Sequence, residues 1–196
     1  YEEARWTAAM EDITPYTDTS AITNNTYGYD FQPYWADKEE THVVAVVRMV
    51  YPDSPADKAG LKRGYVIMKM NGRHIENKNE DYNELLSAAS LDLSVYDPET
   101  MTTKDIKMKP TDMHLDPVLF EKVFDCGGKK VGYFYFNDFN SFDSATRLIE
   151  VAKKFKQEGV TELVLDLRYN GGGYVFIEEL LVSLLAPEVN VNNGDL

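Results

Sequence analysis

Three consecutive glycines, residues 171–173, are the feature of the sequence that most strongly suggests chemistry. They stand between a strand-like run, TELVLDL, and a helix-like run, YVFIEELLVSLLA. Open α/β sheets bind ligands at the carboxyl ends of their strands, where glycines let backbone N–H groups point at negative charge. The loop could therefore be a phosphate loop, an oxyanion hole, or a tight turn without chemistry.

The spacing of the loop argues against phosphate binding. Neither GxxxxGK[ST] nor GxGxxG is present, and no Lys, Ser or Thr follows the glycines directly. An oxyanion hole needs only backbone donors aimed at a carbonyl oxygen that becomes negative. Asp166 and Arg168 lie on one strand face by the two-residue period, and we expect this pair to brace the loop rather than to catalyse.

The other residues with reactive side chains are scattered along the chain. Four serines are predicted at caps, turns or helix surfaces: Ser54, Ser141, Ser144 and Ser183. Three histidines match no Ser and Asp pattern for a triad: His42, His74 and His114. The single cysteine, Cys126, has no partner at metal-ligand spacing. The residues themselves therefore predict no nucleophile and no metal site.

Composition excludes some classes of partner. The 196 residues hold 33 Asp and Glu against 20 Lys and Arg, a net charge of −13. This balance disfavours nucleic acid or an anionic membrane as the main partner. The sequence has no apolar run of 18 residues and no signal-peptide pattern near its start, which is Tyr1. We interpret the chain as an excised piece of a longer protein.

Local composition and the predicted strands and helices divide the chain into four parts. Residues 1–26 are predicted to be a leader or linker, and residues 110–128 a connector with two prolines and a Gly-Gly pair. Between them, residues 27–109 read as a small β-rich module of short strands, with a hairpin at Asn71 and Gly72. Residues 129–196 alternate strand and helix as β-α-β-α, which is typical of a parallel unit. Two parallel strands are too few for a stable domain, so we expect this one to be incomplete.

Two motifs carry a family resemblance. LVLDLRYNGGG resembles the DLR-N-GGG segment of the C-terminal-processing (tail-specific) serine proteases. SPADKAGLKRGYVIMKMNGRHI, residues 54–75, resembles the most recognisable stretch of a bacterial PDZ domain, except that Tyr65 replaces the usual Asp. In this order the motifs cover about residues 27–187. The texture around both motifs is most similar to secreted or lipoprotein members from Bacteroidetes-type bacteria.

The resemblance implies a fold and an active site. The fold class is α+β and α/β: a PDZ-like module, then the first part of a crotonase-like catalytic domain. Backbone N–H groups of Gly171 and Gly172 would form part of the oxyanion hole, and Gly173 would permit helix entry. The family's nucleophilic Ser and general-base Lys would lie beyond this chain. We therefore expect the chain itself to be inactive, and we expect the family's reaction to need no metal or nucleotide cofactor.

The resemblance also implies a peptide groove in the PDZ-like module. Residues 26–29, TYGY, fit a carboxylate-binding loop, and the strand that follows would pair with the peptide, over a short length because Pro33 lacks a donor. A helix with an i, i+4, i+7 pattern would form the other wall, unless its three residues simply pack in the core. The candidate peptide-binding residues are Tyr27, Gly28, Tyr29, Phe31, Tyr82, Leu86 and Ala89.

The resulting hypothesis is a piece of a serine endopeptidase that binds C-terminal or unfolded segments of polypeptides. The alternative is a non-catalytic PDZ scaffold with a degenerate protease domain. A small-molecule enzyme of similar architecture would leave the PDZ-like module unexplained. The resemblance implies an exported protein, in the periplasm, as an outer-membrane lipoprotein or secreted. The sequence leaves the oligomeric state open.

Overall fold

A computed structural model of the protein describes residues 23–185, which are mixed α/β and rich in strands. They form two compact units, residues 23–115 and residues 116–185. The predicted leader, residues 1–26, lies outside the described residues except for its last four, which form strand β1 (Thr23–Thr26). No helix among residues 23–185 has both the length and the apolar character needed to cross a membrane.

The first unit is an antiparallel β structure with two short helices. Its elements after β1 are β2 (Tyr29–Trp35), β3 (Val43–Val50), α1 (Pro55–Lys58), β4 (Val66–Met70), β5 (Arg73–His74), α2 (Asn79–Ser87), β6 (Leu91–Asp97), β7 (Thr102–Met108) and β8 (Thr111–His114). One sheet has the order β2-β3-β4-β6-β7, with β5 beside β4, and β1 pairs with β8. Strand β2 therefore lies at one end of the larger sheet.

Local sequence explains the main features of this unit. In β3, alternate residues are buried, so its apolar run presents one face to the core. Ser54 caps α1 by accepting from the backbone N–H of Asp57, and Pro55 follows at the first turn. The predicted hairpin is confirmed, because Asn71 and Gly72 both have positive φ and join the paired residues of β4 and β5.

The second unit contains β9 (Val118–Cys126), β10 (Lys129–Phe136), α3 (Phe142–Gln157), β11 (Glu162–Asp166) and α4 (Val175–Leu185). Strands β10 and β11 are parallel, which confirms the predicted β-α-β unit. Strand β9 pairs antiparallel with β10, so the sheet order is β11-β10-β9. The range predicted as a connector, 110–128, is instead occupied by β8, β9 and the Gly127-Gly128 turn of the β9–β10 hairpin.

The two helices of this unit bury the faces that the sequence predicts. Ser141 caps α3 by accepting from the N–H of Ser144, and Gly159, with φ of 72°, follows its end. The buried residues of α3 include Leu148, Val151, Ala152 and Phe155, and those of α4 are Ile177, Leu180, Leu181 and Leu184. Phe176 and Leu185, also predicted on the apolar face of α4, are partly buried.

Only one face of β11 is covered within residues 116–185. Its nearly continuous apolar sequence predicts a strand covered on both faces, but Val164 is 46% exposed. Among the described residues β11 pairs only with β10, so it is an end strand. Leu163 and Leu165 point to the helix side and pack against the core. The opposite face of the strand is open in residues 116–185.

Candidate functional site

The glycine loop leaves β11 at Asp166 and enters α4 at Val175. The loop begins with a turn in which the N–H of Asn170 donates to the Leu167 carbonyl at 3.1 Å. Tyr169 in this turn adopts the left-handed conformation, with φ of 64°. The loop then runs beside Phe139, whose N–H donates to the Gly172 carbonyl at 3.3 Å. In return, the Phe139 carbonyl accepts from the N–H of Tyr174 at 2.8 Å. The loop is therefore held at both ends by backbone hydrogen bonds.

Gly173 is fixed as glycine by close packing. Its φ is 148°, and a Cβ there would lie 2.3 Å from the carbonyl carbon of Phe139. Such a distance is far inside van der Waals contact, so any side chain would force the loop away from Phe139. The residue predicted to permit helix entry thus lies where the backbone of the loop touches the β10–α3 connection.

Gly171 and Gly172 differ in what their N–H groups contact. A Cβ on either residue would meet nothing within 4 Å, so both face open space. The N–H of Gly172 donates to Oδ1 of Asn170 at 2.7 Å. Within residues 23–185, the N–H of Gly171 has no acceptor in hydrogen-bonding reach. Of the two predicted donors, only Gly171 is available to a ligand in this arrangement.

Asp166 and Arg168 form the pair that the sequence suggested. The Arg168 Nε lies 2.9 Å from each Asp166 carboxylate oxygen, and a terminal nitrogen lies 2.6 Å from Oδ2. The Arg168 N–H adds a bond to Oδ1 at 3.0 Å, and the Tyr133 hydroxyl donates to Oδ2 at 2.6 Å. The hydrogen bonds from Arg168, supported by the one from Tyr133, hold the pKa of Asp166 well below its usual range, although burial opposes the shift.

Sequence reasoning missed two members of this site. Tyr133 lies on β10, and its bond to Asp166 joins residues 33 positions apart, which no local pattern reveals. Asn170 was quoted within the glycine motif but given no role. Its Nδ2 donates to the carbonyl of Phe136 at 3.3 Å, so its side chain reaches the end of β10. An asparagine beside glycines in a loop is a signal for such backbone contacts.

The serines and histidines adopt structural roles. Ser54 and Ser141 cap helices, the Ser144 hydroxyl donates to the Asp138 carbonyl, and the Ser183 hydroxyl donates to the Leu180 carbonyl. His42 lies 3.2 Å from Asp37, and its ring contacts that of His74 at an interplanar angle of 54°, with ring centroids 4.4 Å apart. Among residues 23–185, no three His, Cys, Asp or Glu side chains converge as metal ligands would.

The aromatic side chains predicted to bind the peptide fill the space between β2 and α2, where Tyr27, Tyr29 and Phe31 are buried in the core of the unit. The hydroxyls of Tyr27 and Tyr29 each donate at 2.6 Å, to the carbonyls of Ala88 and Leu85 respectively. Phe31 packs on Tyr82 with ring centroids 6.0 Å apart. Gly28 has φ of 72°, and its N–H donates to the Thr26 hydroxyl at 3.1 Å. The predicted loop and strand residues are thus brought against α2.

The predicted helical wall needs correction. Helix α2 ends at Ser87, because Ala88 adopts an extended conformation, so Ala89 lies beyond the helix. Leu86 is 43% exposed and Ala89 is also exposed, so the alternative that all three residues pack in the core is wrong as well. Tyr82 is partly buried, and the residue of α2 that enters the core is Leu85. Only Tyr82 and Leu86 can form a wall on the helix.

Comparison with known proteins relates this chain to a protease family. Residues 130–191, which include the glycine loop, match the family model described as peptidase family S41. A carboxyl-terminal-processing protease of Picosynechococcus sp. is 30% identical over 140 residues, which are 68% of this chain and 33% of that protein. The chain is related to the S41 carboxyl-terminal-processing serine proteases.

Solved structures agree with this relationship. The structure of a putative S41 protease from Bacteroides fragilis has a TM-score of 0.55 and 33% identity, over 80% of this chain and 43% of that one. The photosystem II D1 C-terminal processing protease shares the fold, with a TM-score of 0.56 and 22% identity, over 81% of this chain and 44% of that one. The chain therefore spans less than half the length of these relatives.

Proposed function

We propose that the chain is part of a serine endopeptidase that cleaves polypeptides, with the loop at residues 171–173 as its oxyanion hole. The observation that carries this proposal is the N–H of Gly171. It lies at the carboxyl end of a parallel strand, faces open space and has no acceptor among the described residues. A preorganised backbone donor of this kind stabilises the negative oxygen that forms when a carbonyl is attacked.

The reaction needs a nucleophile and a base that the resemblance places elsewhere in the parent protein. A serine hydroxyl would add to the substrate carbonyl carbon while a lysine amine takes its proton. The tetrahedral intermediate would then expel the amine half of the peptide, which receives that proton, and water would hydrolyse the remaining ester. In this scheme the chain supplies the oxyanion donor, and the 196-residue chain alone does not cleave peptides.

The contacts around the loop support this role because they fix its backbone. The Asp166–Arg168 pair and the Tyr133 hydroxyl tie the end of β11 to β10. Gly173 packs directly on Phe139. Electrostatic stabilisation requires donors that do not reorganise during the reaction, and these contacts provide that rigidity. The brace touches no substrate in this scheme, so we assign Asp166 and Arg168 a positioning role.

The first unit is proposed to bind the carboxyl-terminal segment of a polypeptide as a PDZ domain does. Its strand β2 ends the larger sheet and packs on α2 through Phe31 and Tyr82, so a peptide strand would add at the outer edge of β2, beside the helix. Gly28 is required in the preceding loop for two reasons: its φ is 72°, and a Cβ there would lie 2.3 Å from the Cβ of Ser54. Leu86, four residues after Tyr82, offers an exposed apolar contact on the same side of α2.

Two expectations from the sequence belong to the same proposal. We place the parent protein among Bacteroidetes-type members of the family, and the 33% identity to the Bacteroides fragilis protein supports this placement. Export of the parent protein follows from the resemblance. Cell fractionation of the source organism would test it, with the protein expected outside the cytoplasm.

The proposed activity is tested on the complete parent protein. It is incubated with an unfolded polypeptide, and separately with a fluorophosphonate probe that labels activated serines. We expect cleavage and labelling, and loss of both when the labelled serine is replaced by alanine. A parent protein that neither cleaves nor labels would support the non-catalytic scaffold instead. The 196-residue chain, assayed in parallel, is expected to do neither.

A further inference from the structure

The backbone of strand β2 has a direction that its neighbour β3 reveals. Phe31 on β2 pairs with Val47 on β3. Val47 uses both of its backbone groups on the opposite side, since its N–H donates to the Tyr65 carbonyl at 2.9 Å and its carbonyl accepts from Gly64 at 2.8 Å. Phe31 and Val47 are therefore a pair without mutual hydrogen bonds. The N–H of Phe31 points away from β3, to the outer edge of β2, where β2 ends the sheet.

This outward N–H is occupied by a side chain of the same strand. The N–H of Phe31 donates to Oδ1 of Asp30 at 2.7 Å. The other carboxylate oxygen, Oδ2, pairs with a terminal nitrogen of Arg48. Arg48 is the extra residue of a β-bulge, because Asp30 pairs with Met49 and Phe31 with Val47. The two oxygens of Asp30 thus have separate partners, one at the edge of the strand and one on β3.

The occupied N–H closes the middle of the β2 edge to strand pairing. Backbone direction alternates along a strand, so Pro33 faces outward as Phe31 does. Pro33 has no N–H to offer. A strand that adds to β2 therefore finds no open donor from Phe31 to Pro33 while Asp30 stays in place. Charged side chains, prolines and bulges are the devices by which proteins protect the edges of sheets.

We propose that Asp30 controls peptide binding at the edge of β2: its carboxylate competes with a peptide carbonyl for the N–H of Phe31, and an incoming peptide displaces it. The displaced carboxylate keeps its ion pair with Arg48 through Oδ2, so one hydrogen bond to Phe31 is exchanged for another. Without a peptide, the carboxylate protects the edge from other strands. This inference rests on the proposed peptide binding by the first unit and names a residue that lowers its affinity.

Two competing interpretations make different predictions. If Asp30 only stabilises β2, removing its carboxylate lowers the affinity for a peptide. If Asp30 acts only by repelling the peptide's carboxylate through its charge, removing it raises the affinity, but salt abolishes the gain. Under our proposal the affinity rises and the gain persists in salt, because the competition occurs at hydrogen-bonding distance.

The binding test compares Asp30→Ala with Glu39→Ala in the 196-residue chain. The Asp30 side chain is 32% exposed, so alanine leaves no buried cavity, and thermal unfolding verifies folding. Glu39 is exposed in the loop after β2, and its replacement makes the same change in charge. The probe is a fluorescein-labelled decapeptide that ends in Val-Ala-Ala with a free carboxylate, followed by fluorescence anisotropy.

We expect Asp30→Ala to bind this peptide about three- to tenfold more tightly than wild type, since one competing hydrogen bond is removed. Glu39→Ala should stay within about twofold of wild type. The gain in Asp30→Ala should persist when salt is raised from about 0.05 M to about 0.5 M. Equal or weaker binding by Asp30→Ala, or a gain that salt abolishes, overturns the inference.

Amide exchange in the chain without peptide tests the contact itself. After correction for the intrinsic effect of the neighbouring side chain, the N–H of Phe31 should exchange at least about threefold faster in Asp30→Ala than in wild type. The N–H of Gln32, which faces β3 by the same alternation, should change little. Unchanged exchange at Phe31 overturns the inference, whether or not the chain binds peptides.

A crystal structure of the wild-type chain with the peptide needs no variant. We expect Oδ1 of Asp30 to lie more than about 3.5 Å from the Phe31 nitrogen, with a peptide carbonyl in its place. A bound peptide strand beside an unmoved carboxylate overturns the inference and leaves peptide binding standing. Wild type and Asp30→Ala that both fail to bind the peptide overturn the proposed peptide binding and the inference together.

Discussion

Asp166 gathers more contacts than any other side chain described at the glycine loop. It accepts from the guanidinium and the N–H of Arg168 and from the hydroxyl of Tyr133, and it is buried. The sequence suggested its pairing with Arg168 from the two-residue period of a strand, although β11 ends at Asp166 and Arg168 lies in the turn that follows. Tyr133 could not be predicted, because its contact depends on the register between β10 and β11, which the sequence does not specify.

Asp166→Asn tests this arrangement through the pH dependence of stability. The pKa of Asp166 is lowered in the folded chain, so its stabilising contribution is present above its unfolded pKa of about 3.9 and is lost as pH falls through the folded value. We expect a difference in urea unfolding between wild type and Asp166→Asn that is constant from about pH 7 to pH 5 and shrinks below about pH 4.

The control for this prediction is Glu179→Gln. Glu179 is exposed on α4 in the same unit, and its side chain has no hydrogen bond or ion pair within residues 23–185. Its replacement should leave the free energy of unfolding unchanged within about 0.5 kcal/mol. If Asp166→Asn behaves like this control at neutral pH, the brace does not stabilise the loop.

The elements around the site depend on close approaches that single substitutions can test. Gly173→Ala places a Cβ 2.3 Å from the Phe139 backbone, at a φ of 148°. We expect a loss of about 1–3 kcal/mol in the free energy of unfolding, measured with urea. Gly171→Ala is the matched control, since its Cβ would meet nothing within 4 Å. Equal stability of the two variants would show that the loop does not pack on Phe139.

In the first unit, a side-chain hydrogen bond from Tyr29 connects β2 to the last turn of α2. The Tyr29 hydroxyl is buried and donates to the Leu85 carbonyl, and burial raises the pKa of Tyr29, so the donor stays protonated at neutral pH. Tyr29→Phe keeps the ring and removes this bond, which should cost about 1–3 kcal/mol in thermal or urea unfolding. Tyr34→Phe, on the same strand but 56% exposed, should change stability little. A Tyr29→Phe variant with unchanged stability would show that the hydrogen bond to Leu85 does not stabilise this unit.

Local patterns predicted the elements that have strong periods. The helices, the parallel β10–β11 pair and the Asn71–Gly72 hairpin follow from amphipathic spacing, caps and turn residues. Strand β9 was predicted as part of a connector, because the range 110–128 contains two prolines and a Gly-Gly pair. Gly127 and Gly128 instead form the turn of a hairpin, in which β9 pairs antiparallel with β10. The end of α2 was misplaced because alanines give no stop signal.

In residues 116–185, one face of the three-stranded sheet carries exposed apolar side chains beside the charged side chains of Lys122 and Asp166. Phe120 and Phe124 on β9 and Val164 on β11 are all exposed there. Their cross-strand registers through Tyr135, Val131 and Tyr133 on β10 place them on one face. Exposed apolar surface of this kind commonly marks an interaction site.

The length of the relatives suggests what covers this face. The chain spans 43% of the Bacteroides fragilis structure, so we expect other parts of the parent protein to pack on it. The 196-residue chain should then bind a hydrophobic dye such as ANS more strongly than the parent protein does. Phe124→Lys should reduce dye binding in the chain and destabilise the parent protein. Equal dye binding by both proteins would leave the face solvent-exposed.

The proposed oxyanion donor is the N–H of Gly171. The most direct measurement is kcat of the parent protein as Gly171→Pro, which removes this N–H, against Gly171→Ala, which keeps it. Thermal unfolding of both variants verifies folding. We predict that Gly171→Pro lowers kcat by about 10²–10³, while Gly171→Ala stays near wild type. Equal kcat in the two folded variants would rule out this role for Gly171, because its N–H would then contribute nothing to the reaction.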